Sequence, residues 1–133
     1  MRVGGLLIIG LLATGATAAR AQDKAQDSAA LDKALAGTYT QNQACKGNGS
    51  DPANKLVVIH DKEVDSNFGP CVFGDKQWSG KVLKATATCK NKTGTTFDVS
   101  LEFTLHDDNT VGFVEEGSQY KSVLHRCPDA AAK

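Results

Sequence analysis

Cys71 and Cys89 stand nine residues either side of Gly80, in the stretch PCVFGDKQWSGKVLKATATC (70–89). The triplet Ser79-Gly80-Lys81 reads as a hairpin turn, because glycine takes the positive backbone angle that a tight turn requires. Folding the chain there sets Cys71 opposite Cys89, and opposed residues of an antiparallel pair lie within disulfide reach. After the turn, Leu83, Ala85, Ala87 and Cys89 share one face, and Lys84, Thr86 and Thr88 share the other. Before it, Cys71 and Phe73 point the same way, but strict alternation would then bring Asp75 and Gln77 inward and send Trp78 outward. A bulge at Gly74-Asp75 would turn Trp78 inward and shift the register by one.

The other two cysteines, Cys45 and Cys127, form the remaining pair. The spacings between successive cysteines are 26, 18 and 38 residues, without the close C-x2-4-C pairs of a zinc site. Two disulfides are therefore expected, with no metal ligand set and no cofactor. A Cys45–Cys127 bond ties the segment after the first strand to the last strand. By the chain-entropy model it contributes roughly 4 kcal/mol. It suits a sheet whose first and last strands meet, which removes exposed edges.

Disulfides belong to oxidising compartments, and the N-terminus agrees. Arg2, the apolar run Leu6 to Ala13 and the small-x-small site Ala19-Arg20-Ala21 read as a secretory leader over residues 1–21. A second Ala-x-Ala site ends at Ala18. The apolar run is far shorter than the ~20 residues of a spanning helix, so no stable membrane insertion is expected once the leader is removed. The location implied is periplasmic or secreted. Without Arg2 and Arg20, 13 basic residues face 15 acidic ones. A near-neutral chain offers no global attraction to nucleic acid.

Residues 22–36 read as a polar, flexible segment with a short helix, capped by Asp27 or Ser28 and ended by Gly37. Disorder is expected before residue 28. From 37 to 127 the chain reads as one β domain, with 128–133 as a tail. Short runs at 37–40, 56–59 and 63–66 are separated by turn-forming residues, and 45–55 reads as a loop. The clearest strand is TTFDVSLEFTL (95–105), with Phe97, Val99, Leu101, Phe103 and Leu105 on one face and Asp98, Ser100, Glu102 and Thr104 on the other. Period two with one wet face marks an antiparallel sheet. Turns at 106–109 and 117–118 make the last third a meander. The fold expected is all-β: a small antiparallel barrel or rolled sheet of about seven to eight strands with a short N-terminal helix. Phe97, Leu101, Phe103 and Phe113 are expected to fill it, leaving no need for a large ligand cavity.

Few residues suggest chemistry. His60, His106 and His125 are scattered over turns and strand ends without ligand partners at metal spacing. His106-Asp107-Asp108-Asn109 lacks the pattern of a calcium loop. No serine occupies a Gly-x-Ser-x-Gly elbow. Asp107-Asp108 and Glu115-Glu116 would serve a hydrolase only if carboxylates faced each other across a cleft. Asn91-Lys92-Thr93 matches a glycosylation sequon and reads here as a turn. Lys81, Lys84, Lys90 and Lys92 cluster on the Gly80 hairpin and its exit. They read either as a solvated outer face or as a basic patch for an acidic partner. Trp78 beside them is either core, the more frequent outcome, or a partner anchor. The binding residues proposed from sequence are Trp78, Ser79, Lys81 and Lys84, with 46–54 as a second contact loop.

A cleaved leader, a small antiparallel barrel and disulfides together make a chain similar in outline to the periplasmic barrels that inhibit c-type lysozymes. Those proteins carry a Ser-Gly-x-x-Tyr motif and a later Thr-Lys-Gly motif on loops that enter the lysozyme cleft. Here Ser79-Gly80 is followed by Leu83 where the tyrosine would stand, and Lys92-Thr93-Gly94 permutes the second motif. The resemblance is one of architecture and no membership follows from it. It implies inhibition of a protein partner through loops. The function expected is that of an exported, non-enzymatic binding protein. A small-molecule or ion carrier is the main alternative, and a carboxylate enzyme is the third.

Overall fold

In a computed structural model, residues 18–67 and 69–128 are described, with side chains from Asp27 onward. The expected leader lies outside them except for its last residues, which open a helix, α1 (Ala18–Leu35). The helix begins well before the expected caps, so Asp27 and Ser28 lie inside it and the disorder expected before residue 28 is replaced by helix. The reason is local: the segment AARAQDKAQDSAALDKAL is rich in alanine and contains no glycine or proline, so nothing in it interrupts helix propagation. Among the described residues, no helix is long and apolar enough to cross a membrane.

Eight strands follow: β1 (Gly37–Gln41), β2 (Leu56–Ile59), β3 (Glu63–Ser66), β4 (Gly69–Ser79), β5 (Val82–Lys90), β6 (Thr96–Leu105), β7 (Thr110–Glu116) and β8 (Lys121–Arg126). Each pairs antiparallel with its neighbour, and β1 pairs with β8 to close a barrel. This is the all-β architecture expected from the period-two runs, and closure leaves no long sheet edge. Asn91 orders the β5–β6 turn at the sequon. Its side-chain oxygen accepts the Thr93 amide at 3.1 Å, the Thr93 hydroxyl at 2.7 Å and the Thr95 amide at 2.9 Å.

The pairing of β4 with β5 resolves the conflict in the sequence. Ser79 faces Val82, so the turn is the two-residue Gly80-Lys81, with Gly80 at φ +59°. Its axis falls after Gly80, one register step away from the axis that would pair Cys71 with Cys89. The bulge absorbs that step. Phe73 faces Ala87 and Lys76 faces Ala85, leaving Gly74 and Asp75 opposite Thr86. Cys71 therefore faces Cys89, Trp78 turns inward opposite Leu83, and Asp75 and Gln77 go out to water. Both expected disulfides, Cys71–Cys89 and Cys45–Cys127, are formed.

The Cys45–Cys127 bond holds the 42–55 loop against the outer wall. Thr40 lies on the outward face of β1 yet is fully buried, and its hydroxyl donates to the Gln43 carbonyl at 2.7 Å. Asp51 braces the loop by accepting the Lys46 amide at 3.0 Å and the Gly47 amide at 2.8 Å. These two amides hold its carboxyl below the usual carboxylate range.

Inside the barrel, Leu83, Phe103 and Leu124 are fully buried among Tyr39, Ile59 and Val111. Phe103 packs edge-on to Phe73, with centroids 6.2 Å apart, and against Phe113 at 5.1 Å. Phe97 is the exception to the expected filling: it is 40 % exposed. The last residue of β7, Glu116, pairs with Ser100. The first residues of β6 therefore stand above the top of β7, and Phe97 has no wall on that side.

Candidate functional site

The two ends of the barrel are built differently. The lower end, where β1 begins, is closed by α1. Leu35 is buried among the core residues. The Asp32 carboxylate enters between two inward-facing residues of β4: Trp78 Nε1 donates to it at 2.8 Å and Lys76 Nζ lies 3.0 Å away. Lys76 also donates to the Asp61 carbonyl at 2.9 Å and sits 5.4 Å from the Phe73 ring centroid. The helix C-terminus leaves carbonyls without intrahelical partners, and Arg126 and Tyr39 supply donors. Arg126 donates to the carbonyls of Ala36, at 3.0 Å, and Ala34, and the Tyr39 hydroxyl donates to the Leu35 carbonyl at 2.6 Å. Gly37 makes room for this, since a Cβ there would meet the Arg126 guanidinium at 2.6 Å. Burial raises the Tyr39 pKa, and the Arg126 charge acts in the opposite direction.

Among the described residues, nothing plugs the upper end in this way. A cavity of about 210 Å³ opens there. Leu101 and Phe113 lie deepest, Val57, Val64 and the Cys71–Cys89 disulfide form walls, and Phe97 and Val99 stand at the rim. The polar groups are few: Gln41, Ser66 and Glu115. The Tyr120 hydroxyl donates to Gln41 Oε1 at 2.7 Å, and its ring packs edge-on to Phe113 at 6.2 Å. Aromatic contacts thus run from Phe103 in the core through Phe113 to Tyr120 at the mouth. Ser122, on the inner face of β8 and paired in register with Phe113, is buried, and its hydroxyl has no hydrogen-bond partner among the described residues. An apolar chamber with a few convergent polar groups is the form of a small-molecule site.

The residues proposed from sequence fall at the lower end and on two faces. Trp78 points inward and holds α1, whereas Ser79, Lys81 and Lys84 are exposed. The Lys81 ammonium pairs with Asp107, whose carboxyl is held below its usual range by that contact. Lys84 lies 3.9 Å from both Glu102 and Glu116. Lys90 and Lys92 sit at the other end of β5, about 30 Å along the strand from Lys81, so the four lysines do not form one patch. Asp107-Asp108 and Glu115-Glu116 are likewise separated by the length of β7. Asp108 caps its own turn, with the Thr110 hydroxyl and amide lowering its pKa.

Cys45, Cys127 and Asp51 bring a carboxylate and two sulfurs within metal-binding distance of one another. The sulfurs are bonded to each other, and Asp51 is engaged by loop amides, so in the oxidised protein this group is a brace for the loop.

Sequence reasoning missed Lys76, Gln41 and Tyr120. Lys76 was accessible to it, because the bulge that turns Trp78 inward turns Lys76 inward as well. Gln41 and Tyr120 carry no local signal and meet only because β1 and β8 close the barrel. No protein-family model matches this chain, and comparison with curated proteins and with solved structures finds no match in either.

Proposed function

We propose that this chain is an exported, non-enzymatic binding protein that holds a small, largely apolar ligand in the upper mouth of its barrel. The observation that carries the reading is the apolar-walled cavity of about 210 Å³ at the end opposite α1. It is somewhat larger than the ~150 Å³ dry cavity that accepts benzene in another protein, which sets the ligand near one ring with a short tail. The two disulfides and the leader-like N-terminus support export. The first test is a native mass spectrum of protein exported by a host and purified without reductant, followed by calorimetry with 2-phenylethanol. The expected result is a small adduct lost on denaturation, or saturable uptake of the alcohol. Absence of both sinks the reading.

A second reading, inhibition of a protein partner through loops, is favoured by one observation. The 46–54 loop is fixed by the Cys45–Cys127 bond and the Asp51 brace, so it meets a partner with little ordering cost. The Gly80 hairpin, with Ser79, Lys81 and Lys84 exposed, would be a separate contact surface. A lysozyme inhibition assay with the oxidised protein tests it. Inhibition that disappears when residues 47–50 are replaced supports the loop, and no inhibition at micromolar protein removes this target.

A further inference from the structure

We infer that the mouth selects a ligand whose head is an ammonium group, held by Glu115 beside the aromatic rings. This rests on the reading of the mouth as a small-molecule site. Among the described residues, Glu115 is the one charged residue lining the cavity, and no lysine, arginine or histidine lines it. Its position follows from the register. Glu115 pairs with the inward-facing Leu101, while its neighbour Glu116 pairs with Ser100 on the outer face. The doublet is thus split by the register, Glu115 reaching the chamber and Glu116 not, although both also border the open groove beside Thr86 and Asp98. Glu116 lies 3.9 Å from the Lys84 ammonium, whereas no ion pair joins Glu115 to any described residue. A carboxylate at the lip of an apolar chamber has one natural complement, a cation that brings its own apolar body.

The surroundings support the same head group. Phe113 and Tyr120 lie edge-on to each other at 6.2 Å, and Phe97 stands exposed at the rim. Aromatic faces attract ammonium groups and give nothing comparable to carboxylates. The Tyr120 hydroxyl is already committed to Gln41 Oε1, so it offers no free donor to an anionic head. An ammonium has three donors and no acceptor, and Glu115 supplies the acceptor. A carboxylate ligand of the same shape would face a like charge across the mouth. The ligand class is therefore a primary arylalkylamine or an alkylamine of similar size.

The test compares three probes with one skeleton, namely 2-phenylethylamine, 2-phenylethanol and phenylacetate, by calorimetry at pH 7 and low salt with the oxidised protein. The amine should bind roughly tenfold or more tightly than the alcohol, a difference of about 1.4 kcal/mol, and phenylacetate more weakly than either. Glu115→Gln should bring the amine down to the affinity of the alcohol, leave the alcohol unchanged and remove the salt dependence of amine binding. Glu116→Gln should change none of these. Equal affinity of amine and alcohol in the unmodified protein overturns the cationic head and leaves the apolar mouth standing. Failure of all three probes to bind overturns both. An equal effect of the two glutamine variants moves the amine to the outer wall and overturns the assignment.

Discussion

The lower and upper ends of this barrel are made from the same eight strands with the same inward–outward alternation, yet one is sealed and the other open. At the lower end, α1 contributes Leu35 to the core and Asp32 to two half-buried donors, while Arg126 and Tyr39 satisfy its terminal carbonyls. At the upper end, β6 outruns β7, no helix among the described residues arrives, and the strands are held together at the wall by the Cys71–Cys89 bond. Alternation therefore decides which residues face the axis. What stands at each end of the axis decides whether they become core or cavity.

The largest break in this contrast is expected at the plug. Leu35 is 2 % exposed, and Leu35→Ala should cost about 3 kcal/mol, the middle of the range for truncating a buried leucine. In a domain of this size that lowers Tm by roughly 12–20 °C, read by calorimetry or circular dichroism. A change of only a few degrees would mean that α1 rests on the barrel without sealing it.

Next is the covalent staple of the open end. Replacing Cys71 and Cys89 together by alanine should cost up to about 3 kcal/mol, the chain-entropy value for a loop of this length. Hydrogen exchange should then rise first at the amides of β4 and β5 above the bulge, leaving the Trp78–Leu83 region protected. Uniform exchange across both ends would remove the distinction between a packed end and a stapled one.

Tyr39 gives the plug a pH signature. Burial raises its pKa above the ordinary value of about 10. The folded state then holds the phenolic proton more tightly than the unfolded state. The stabilisation is complete below pH 10 and is lost as pH rises through the folded pKa. Tyr39→Phe loses the hydroxyl's bonds to Leu35 and Arg126 and should be about 1 kcal/mol less stable at neutral pH. Above pH 10 its stability should fall less steeply than that of the unmodified protein. Parallel denaturation curves through that range would show that the hydroxyl is not buried with the helix terminus.

Much of this was legible in the sequence. The β5 and β6 alternations, the turn at Gly80 and the cysteine spacing imply a closed antiparallel sheet with both disulfides, because each depends on local parity. The Gly74-Asp75 bulge was legible too, from the conflict between Cys71 and Trp78. What parity cannot supply is height along the axis. Phe97 and Phe103 have identical patterning, but only Phe103 has neighbours on every side. Nor does parity say which polar residues meet across the closure, as Gln41 and Tyr120 do, or that Trp78 spends its indole N–H on a helix rather than on a partner. Lys81, Lys84, Lys90 and Lys92 are near in sequence, but an extended strand carries such neighbours apart.

The rim gives the most informative contrast with the plug. Phe97 is 40 % exposed and packs on one side only, so Phe97→Ala gives up only part of the ring's burial and should cost about 1–2 kcal/mol, less than Leu35→Ala. It should affect binding as well, because a ligand in the mouth covers the ring that water now touches. Loss of that contact should weaken 2-phenylethanol by roughly three- to tenfold, since full burial of such a ring is worth about 1.5–3 kcal/mol and only part of it remains to be covered. Leu35→Ala should behave oppositely, with a large loss of stability and little change in affinity while the protein stays folded. If Phe97→Ala instead destabilised the fold as much as Leu35→Ala, the upper end would be core in solution. The mouth would then be closed, and the contrast between the two ends would fail.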